Sequence, residues 1–348
     1  MKIGNKLVGR GEKVFIIAEA GSNHNGKLEQ AKELIKVAAE AKADAIKFQT
    51  FRAGKLYVKK AGSADYLKTS KSIFEIIKKL EMPYKWIPQL NEYCRKAGII
   101  FLSTPYDEES ADKLEEAGVP AYKVSSYNVT HLPLLKYIAR KRKPIILSTG
   151  ASNLGEIKEA LEAIYSQKNE NVILLQCTAS YPAPLEYINL NVMNTFKQAF
   201  QVPVGISDHS RDPFVVPFAA TAMKANLIEK HFTLDKSLPG PDHKYAVEPD
   251  ELKAMINGIR GVEKALGSPI KEVASVEKEL YDFARVRIHA VKDIKKGAVL
   301  TEKNIAILRS GKAKPGLDPK FWDLILGKKV VRNIKRYEGI SWEDLLQG

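Results

Sequence analysis

The fold is decided by residues 14–50, which read VFIIAEAGSNHNGKLEQAKELIKVAAEAKADAIKFQT. A short apolar run at 14–18 and a second at 45–48 are typical of buried parallel strands. Between them, residues 28–40 place apolar side chains at intervals of three and four with charged ones elsewhere, which indicates an amphipathic helix. The stretch therefore predicts one strand–helix–strand unit.

The same unit recurs along the chain. Further apolar runs stand at 99–102, 121–124, 144–147, 172–175, 204–206 and 227–228. Helical patterns, such as the one at 157–165, lie between most of these runs. Eight strands and eight crossovers over about 265 residues match the size of a (β/α)8 barrel. We therefore expect an α/β fold in which residues 1–267 form a TIM-barrel catalytic domain.

The pattern changes after a helix that we predict at 248–266. Residues 268–283 have the character of a linker, and residues 284–348 contain brief apolar alternations separated by glycine-containing turns. A domain of about 65 residues is too small to be a second enzyme. We expect a small β-rich domain that serves as a lid or as a dimer-forming module.

The composition excludes several classes of protein. With 45% hydrophobic and 28% charged residues among 348, the chain is neither disordered nor fibrous. No apolar stretch approaches the roughly 18 residues that cross a bilayer, so we expect no membrane partner. The two cysteines, Cys94 and Cys177, lack metal-type or redox-type spacing and are interpreted as packing residues of a soluble, reduced, cytoplasmic protein.

The net charge of +14 would suit nucleic acid, an anionic membrane or anionic small molecules. The most basic segment, 284–348, has 15 basic and 7 acidic residues. Its charges stand singly among apolar residues, without the basic runs or interleaved aromatic residues that nucleic-acid surfaces prefer. We therefore expect no nucleic-acid partner and interpret much of the charge as a solvated lysine-rich surface.

Every apolar run ends in hydrogen-bonding or ionisable residues. These ends are Glu19, Lys47 with Gln49, Ser103 with Thr104, Lys123 with Ser125 and Ser126, Ser148 with Thr149, Gln176 with Thr178, 207–209, and 229–231. In a parallel barrel all eight carboxyl ends meet at one rim. Strand ends that merely reach solvent would carry mixed Lys and Glu instead. We therefore predict the active site at this rim.

Some of the chemistry at the rim follows from residue types. Lys47 and Lys123, at separate strand ends, suit a small anion such as a phosphate ester that also carries a carboxylate. His209 and His231 end neighbouring strands, and Glu19 is adjacent once the barrel closes. Two imidazoles and a carboxylate would suit a Lewis-acidic Mn, Zn or Fe. The alternative is two histidines hydrogen-bonded within a polar rim that holds no metal.

Ordered motifs in the sequence resemble those of the sialic acid synthase family. They are IAEAGSNHNG (17–26), KFQT (47–50), STPYD (103–107), STG (148–150), QCTASYPAP (176–184), GISDHS (205–210), IEKHFT (228–233) and LPGPDH (238–243). LRSGKAKPGLDP (308–319) and ILGKKV (325–330) are similar to parts of that family's SAF, or antifreeze-like, domain. The resemblance covers essentially the whole chain.

The resemblance implies a reaction and an assembly. Family members condense phosphoenolpyruvate with the open-chain aldehyde of an N-acylated mannosamine-type sugar, which gives a nine-carbon 2-keto acid and phosphate. They use a divalent metal, with Mn²⁺ foremost and Mg²⁺ or Co²⁺ as substitutes, and form homodimers in which each SAF domain covers the partner's barrel mouth. The alternatives are an aldose-phosphate synthase that uses phosphoenolpyruvate, or a non-catalytic protein that binds carbohydrate or nucleic acid.

The resemblance also implies roles for individual residues. The phosphoenolpyruvate contacts fall on Lys47, Thr104, Lys123, Ser126, Ser148 and Ser207. The metal ligands fall on His209 and His231, and Glu19 matches the acidic residue that orients the metal-bound water. Positions around the acceptor sugar fall on Gln49, Tyr181 and Asp242, and Arg309 matches the arginine that reaches the partner's sugar site.

Three positions depart from the family pattern, and one segment is expected to set specificity. Asn128 stands where many members carry Asp or Glu, Ala179 replaces an Asn of some members, and Ser310 replaces the Pro of an Arg-Pro-Gly sequence. Segments 66–83 and 131–140 are similar to those of spore coat synthases. We expect the choice of acceptor to depend on residues 51–79.

Overall fold

The structure is a computed structural model that describes residues 1–63 and 70–345. The chain divides into two compact units, Met1–Gly267 and Ser268–Gly348. No helix in the described ranges is long and apolar enough to cross a membrane.

The first unit begins with a two-stranded antiparallel hairpin, β1 (Lys2–Ile3) and β2 (Lys6–Leu7). Eight parallel strands follow: β3 (Phe15–Gly21), β4 (Ala45–Thr50), β5 (Ile100–Pro105), β6 (Tyr122–Val124), β7 (Ile145–Ser148), β8 (Val172–Cys177), β9 (Val204–Asp208) and β10 (Leu227–His231). They pair in the order β5-β4-β3-β10-β9-β8-β7-β6. Because β5 and β6 also lie side by side, the two ends of the sheet meet and the barrel is nearly closed. The predicted TIM barrel is confirmed, and a strand occupies each of the eight predicted positions.

Ten helices of the first unit are α1 (Leu28–Glu40), α2 (Ala53–Leu56), α3 (Ile73–Lys79), α4 (Trp86–Ala97), α5 (Glu108–Glu116), α6 (Leu132–Ala139), α7 (Leu154–Tyr165), α8 (Val192–Phe200), α9 (Val215–Ala222) and α10 (Pro249–Leu266), within the described ranges. Short 3-10 turns occupy Ser126–Asn128 and Leu185–Tyr187. Helix α7 begins earlier than the apolar pattern at 157–165 indicates. Its start is fixed by Asn153, whose side chain accepts hydrogen bonds from the backbone N–H groups of Gly155 and Glu156.

Strand side chains alternate between the barrel interior and the layer beneath the helices. The interior apolar layer consists of Phe15, Ile17, Ala45, Leu102, Ala121, Ile146, Ile173, Leu175 and Leu227, together with Ile3 and Val8 from the amino-terminal hairpin region. Gly205 belongs to this crowded interior, since a Cβ atom there would lie 2.0 Å from the carbonyl oxygen of Leu227. The next inward-facing residues along the strands are mostly polar, so the barrel has an apolar lower half and a polar mouth.

The second unit has its own small apolar core. Strands β11 (Val286–Ala290) and β12 (Ile305–Arg309) pair antiparallel, with helices α11 (Lys278–Ala284) and α12 (Trp322–Ile325) and 3-10 turns at Ser275–Glu277, Pro319–Phe321 and Trp342–Asp344. The core consists of Ile288, Ala290, Ile294, Leu300, Ile305, Ile325, Val330, Ile334, Ile340 and Leu345. The expectation of a small β-rich domain is confirmed. The segment interpreted as a linker contains α11.

Candidate active site at the carboxyl ends of the barrel strands

A cavity of about 350 Å³ opens at the carboxyl ends of the barrel strands. The site residues predicted from the barrel sequence line it, namely Glu19, Lys47, Gln49, Thr104, Lys123, Ser126, Ser148, Tyr181, Ser207, His209, His231 and Asp242. Arg309 belongs to the second unit, where it ends β12 with an exposed side chain. The structure therefore brings the barrel residues together, while Arg309 lies in the other unit.

The two-residue period of the strands places these side chains in the mouth. Strands β10, β3 and β4 run parallel with His231 opposite Glu19 and Glu19 opposite Lys47. On the next strand, Ser207 stands opposite Glu229. An acid, a base and a hydroxyl thus reach the cavity from adjacent strands because each occupies an inward-facing position.

Two buried lysines share one carboxylate at the base of the cavity. The Nζ atom of Lys47 lies 2.7 Å from Oε2 of Glu19 and 4.0 Å from Oε1 of Glu229. The Nζ atom of Lys123 lies 3.6 Å from the same Glu229 oxygen and donates a hydrogen bond of 2.7 Å to Ser148. Each lysine is 3% exposed. An incoming anion would therefore meet two ammonium groups that water barely reaches.

The two carboxyl groups differ in acidity. Burial raises the pKa of Glu19 to about 7, and Lys47 opposes this rise only in part. Burial also acts on Glu229, but Lys123 and Lys47 outweigh it and hold the pKa of Glu229 below its usual value. Ser207 stabilises this carboxylate by donating a hydrogen bond of 2.9 Å. Glu19 is therefore suited to exchange protons near neutral pH, whereas Glu229 remains charged.

The lysines also differ from one another. Burial lowers the pKa of Lys123. Burial acts in the same direction on Lys47, but the neighbouring Glu19 and Glu229 outweigh it and raise the pKa of Lys47. Lys47 thus stays fully protonated while its two acidic neighbours surround it.

The two histidines face each other across the mouth, with ring centroids 5.3 Å apart. Nδ1 of His209 lies 2.9 Å from the carbonyl oxygen of Thr178. Because a carbonyl can only accept, Nδ1 carries a proton and donates it to Thr178. Burial lowers the pKa of His209, but Cys177 and the Thr178 carbonyl outweigh it and raise that pKa above its usual value. Burial holds the pKa of His231 well below its usual value, so this ring is neutral. Tyr181 stacks on His209 at 4.3 Å between ring centroids.

These histidines fit a divalent cation in part. Imidazoles are common ligands for Mn, Zn or Fe. Asp242 lies near them, with Oδ2 3.9 Å from Nδ1 of His231. Within residues 1–63 and 70–345, however, no three acidic, His or Cys side chains are gathered as a metal cluster. Two imidazole donors would leave the other coordination positions of such a cation to water or substrate.

The segment that carries His209 is braced from outside the barrel by Lys230. The Nζ atom of Lys230 donates to Oδ2 of Asp208 at 2.6 Å, to the carbonyl oxygen of Ser210 at 2.6 Å and to that of Asp212 at 2.9 Å. Its side chain is 1% exposed. Lys230 points away from the cavity because its neighbours in sequence, Glu229 and His231, point into it.

Several lining residues were given no role by sequence reasoning. Glu229 was placed at the rim within 229–231, and strand periodicity would have assigned its side chain to the cavity, since it stands two positions before His231. Tyr106, Tyr127 and Tyr245 also line the cavity, but they follow strands or belong to loops, where no period fixes the direction of a side chain. The side chains of α3 that line the cavity, Ile73, Ile76 and Ile77, gave no sequence signal of their own.

The positions that depart from the family pattern lie outside the cavity lining. Asn128 is buried in the 3-10 turn after β6, and Ala179 follows β8. Ser310 belongs to the second unit, where its hydroxyl lies 2.9 Å from Nε2 of His289. Residues 64–69 of segment 51–79, and therefore residues 66–69 of segment 66–83, lie outside the described residues.

Two further features lie at the rim. The turn at 239–243 reaches the mouth, where Pro241 and Asp242 line the cavity. His243 points elsewhere, with Nδ1 2.6 Å from the hydroxyl of Thr233. Cys177 does more than pack, because its buried Sγ atom lies 3.7 Å from Nδ1 of His209.

Comparisons with known proteins agree with this architecture. The NeuB family model matches residues 34–271, and the SAF domain model matches residues 285–346. The spore coat polysaccharide biosynthesis protein SpsE of Bacillus subtilis is 45% identical, over 99% of this chain and 97% of that protein. An N,N'-diacetyllegionaminic acid synthase of Campylobacter jejuni is 44% identical, over 94% of this chain and 98% of that protein.

A solved structure of a sialic acid synthetase has a similar fold. The crystal structure of the N-acetylneuraminic acid synthetase of Leptospira borgpetersenii has a TM-score of 0.73 at 34% sequence identity. The structural match covers 81% of this chain and 95% of the solved chain. The chain therefore belongs to the NeuB family, the family of sialic acid synthases that its motifs resemble, and is an enzyme of this class with a carboxyl-terminal SAF domain.

Proposed function

We propose that the enzyme condenses phosphoenolpyruvate with the open-chain aldehyde of an N-acylmannosamine-type sugar, which yields a nine-carbon 2-keto acid and inorganic phosphate. The observation that carries the proposal is the convergence of buried Lys47 and Lys123 with the buried pair His209 and His231 in one cavity. The names of the synthases among its relatives support the same class of product.

The lysines would hold the two anionic groups of phosphoenolpyruvate. Lys123 and Ser148 already form a hydrogen-bonded pair of donors, and Lys47 has Thr104 3.2 Å away. Cations of this kind bind phosphate and carboxylate strongly where water is excluded. Binding would fix the enol carbon in the orientation needed for attack on a carbonyl.

A divalent cation, Mn²⁺ foremost, would be held by His209 and His231. When bound, it would polarise the aldehyde oxygen of the sugar as a Lewis acid. The chain contributes to this site by keeping His231 neutral through burial and by fixing the tautomer of His209 through Thr178.

The bonds made and broken balance without a further reactant. C3 of phosphoenolpyruvate forms a carbon–carbon bond with the aldehyde carbon, whose oxygen becomes a hydroxyl. Water adds at C2, the C2–O bond to phosphate breaks, and the C2 ketone forms. Glu19, with its pKa of about 7, would accept the proton of the attacking water, and Lys47 would stabilise its carboxylate form.

We also propose that the enzyme is a homodimer in which Arg309 of one protomer serves the sugar site of the other. This dimer is supported by the assembly that the sequence resemblance implies for the family. Mixing Arg309→Ala and Glu19→Gln protomers tests this, because a mixed dimer would keep one complete site. A mixture of the two variants is expected to recover about a quarter of the unmodified enzyme's activity, and a pure mixed dimer about half. No recovery in a verified mixed dimer would contradict the arrangement.

The reaction is tested with metal-stripped protein, phosphoenolpyruvate and three acceptors, with and without Mn²⁺. The acceptors are N-acetylmannosamine, its 6-phosphate and a 2,4-diacetamido-6-deoxy analogue. Inorganic phosphate and product mass are measured together. Mn²⁺-dependent phosphate release with a nine-carbon keto acid is expected; phosphoenolpyruvate binding without product from any acceptor would contradict the proposal.

A further inference from the structure

Tyr245 lies against His231 on the wall of the cavity, just beyond the LPGPDH motif at 238–243. Its hydroxyl oxygen is 3.3 Å from Nδ1 of His231, and the centroids of the two rings are 5.2 Å apart. The residue is 4% exposed, so the protein shields this hydroxyl from most water. The buried phenol has no part in the chemical steps proposed above.

Backbone pairing holds the segment of Tyr245 beside the end of the strand that carries His231. The N–H of Val247 donates to the carbonyl oxygen of His231 at 2.9 Å, and the N–H of Thr233 donates to the carbonyl oxygen of Val247 at 2.9 Å. The hydroxyl of Thr233 also lies 2.6 Å from Nδ1 of His243, in the same segment. The contact between Tyr245 and His231 therefore rests on a segment that is hydrogen-bonded to the strand end itself.

Asp242 is the second partner of the phenol. Its carboxyl group also faces His231, with Oδ2 3.9 Å from Nδ1. Burial raises the pKa of Asp242, and hydrogen bonding with Tyr245 opposes this rise. Burial and the neighbouring Asp242 raise the pKa of Tyr245 well above its usual value. The phenol therefore keeps its proton and has a carboxyl group beside it that can accept a hydrogen bond.

The hydrogen bonds among these three side chains follow from the number of protons they carry. A phenol has one proton to donate, and an ionised carboxylate can only accept. Tyr245 donates to Asp242 because charge-assisted hydrogen bonds are the stronger ones, and its oxygen can then accept from Nδ1 of His231. Because burial holds its pKa well below the usual value, His231 is neutral and carries a single ring proton. With that proton on Nδ1, Nε2 keeps a lone pair.

On the basis of the proposed function, in which His231 binds a divalent cation, we infer that Tyr245 is a positioning residue for this ligand. Its hydroxyl accepts a hydrogen bond from Nδ1 of His231 and donates one to Asp242, which leaves Nε2 as the nitrogen that binds the cation. Partners of this kind fix the tautomer and the orientation of histidine ligands, and their loss weakens metal binding by about 10-fold to 100-fold.

The tautomer of His231 can be measured in the metal-free full chain without turnover. Selective ¹⁵N labelling of histidine, with His231→Asn to assign the resonances, distinguishes protonated from unprotonated ring nitrogens by NMR. In the unmodified protein we expect the proton on Nδ1. Tyr245→Phe keeps the ring, whose centroid is 5.4 Å from that of Tyr181, and should no longer hold a single tautomer. A proton on Nε2 in the unmodified protein, or an unchanged tautomer in the variant, would overturn the inference.

The affinity for Mn²⁺ is the second readout, measured by the electron paramagnetic resonance signal of the free ion. Tyr245→Phe should weaken binding about 10-fold or more. Tyr165→Phe, which removes a hydroxyl at the end of α7, is the matched control and should bind as the unmodified protein does. Full affinity in the Tyr245 variant would overturn the inference while the metal site stands. No binding of Mn²⁺ by the unmodified protein would instead count against the proposed metal site itself.

Discussion

Lys230 and Asp208 form an ion pair of 2.6 Å on the outer face of the two strands whose inner faces carry His231 and Ser207. Both residues are only 1% exposed. Lys230 also donates hydrogen bonds to the carbonyl oxygens of Ser210 and Asp212. The pair thus fixes the backbone on either side of His209. A buried charge outside the cavity supports a residue inside it.

Replacement of Lys230 by Met should weaken Mn²⁺ binding by about 10-fold to 100-fold, the range for residues that orient metal ligands. Free Mn²⁺, measured by its electron paramagnetic resonance signal, reports the affinity without turnover. Lys253→Met, at an exposed lysine of α10, is the control. The double variant with Asp208→Asn should regain stability but not affinity; full affinity in either variant would show that Lys230 is structural only.

Replacement of Lys123 by Met should weaken the binding of phosphoenolpyruvate by about 100-fold, because a buried cation that pairs with an anion is lost. Calorimetric titration of the metal-free protein measures this. Lys136→Met, at an exposed lysine of α6, should bind as the unmodified protein does. An unchanged dissociation constant for the Lys123 variant would remove this lysine from the anion site.

Replacement of Glu19 by Gln should reduce kcat by about 100-fold to 10,000-fold, the usual loss on removing a general acid–base group. The amide keeps the size of the side chain and its contact with Gln49, which lies 3.0 Å from the Glu19 carboxyl. Binding of phosphoenolpyruvate should therefore persist. Full turnover by the variant would assign the proton transfer to another group.

His24 should make the fold less stable in mild acid. Burial lowers its pKa to about 4 from 6.5, so the unfolded chain binds the proton more readily than the folded one. Stability from this group is complete above pH 6.5 and falls by about 3 kcal/mol as the pH drops toward 4. The ring packs beside Trp86, and Nε2 has no hydrogen-bond partner in the described part of the chain.

Urea unfolding at pH 7, 5.5 and 4.5 checks this expectation against His24→Asn. The variant cannot titrate in this range, so the difference in unfolding free energy between the two proteins should shrink or reverse as the pH falls. Parallel curves across the three pH values would mean that His24 is protonated in the folded state without cost.

Sequence reasoning recovered the parts of the molecule that depend on a period. The carboxyl ends of the apolar runs located Glu19, Lys47 and His231 at the mouth, because all parallel strands of a barrel end at one rim. Glu229 was placed at this rim within 229–231, and alternation along the strand would have assigned its side chain to the cavity. Neither rule could place Tyr245 or the cavity-lining side chains of α3, because side chains on loops and short connecting helices take their direction from tertiary packing.

We propose that this cavity joins phosphoenolpyruvate to a sugar with cleavage of the C2–O bond. The most direct measurement uses ¹³C-labelled phosphoenolpyruvate in H₂¹⁸O with the favoured acceptor and Mn²⁺, and analyses both products by mass spectrometry. A nine-carbon keto acid with three labelled carbons and inorganic phosphate free of ¹⁸O are expected. Phosphate that carries ¹⁸O, with labelled pyruvate in place of the keto acid, would mean P–O hydrolysis and would contradict it.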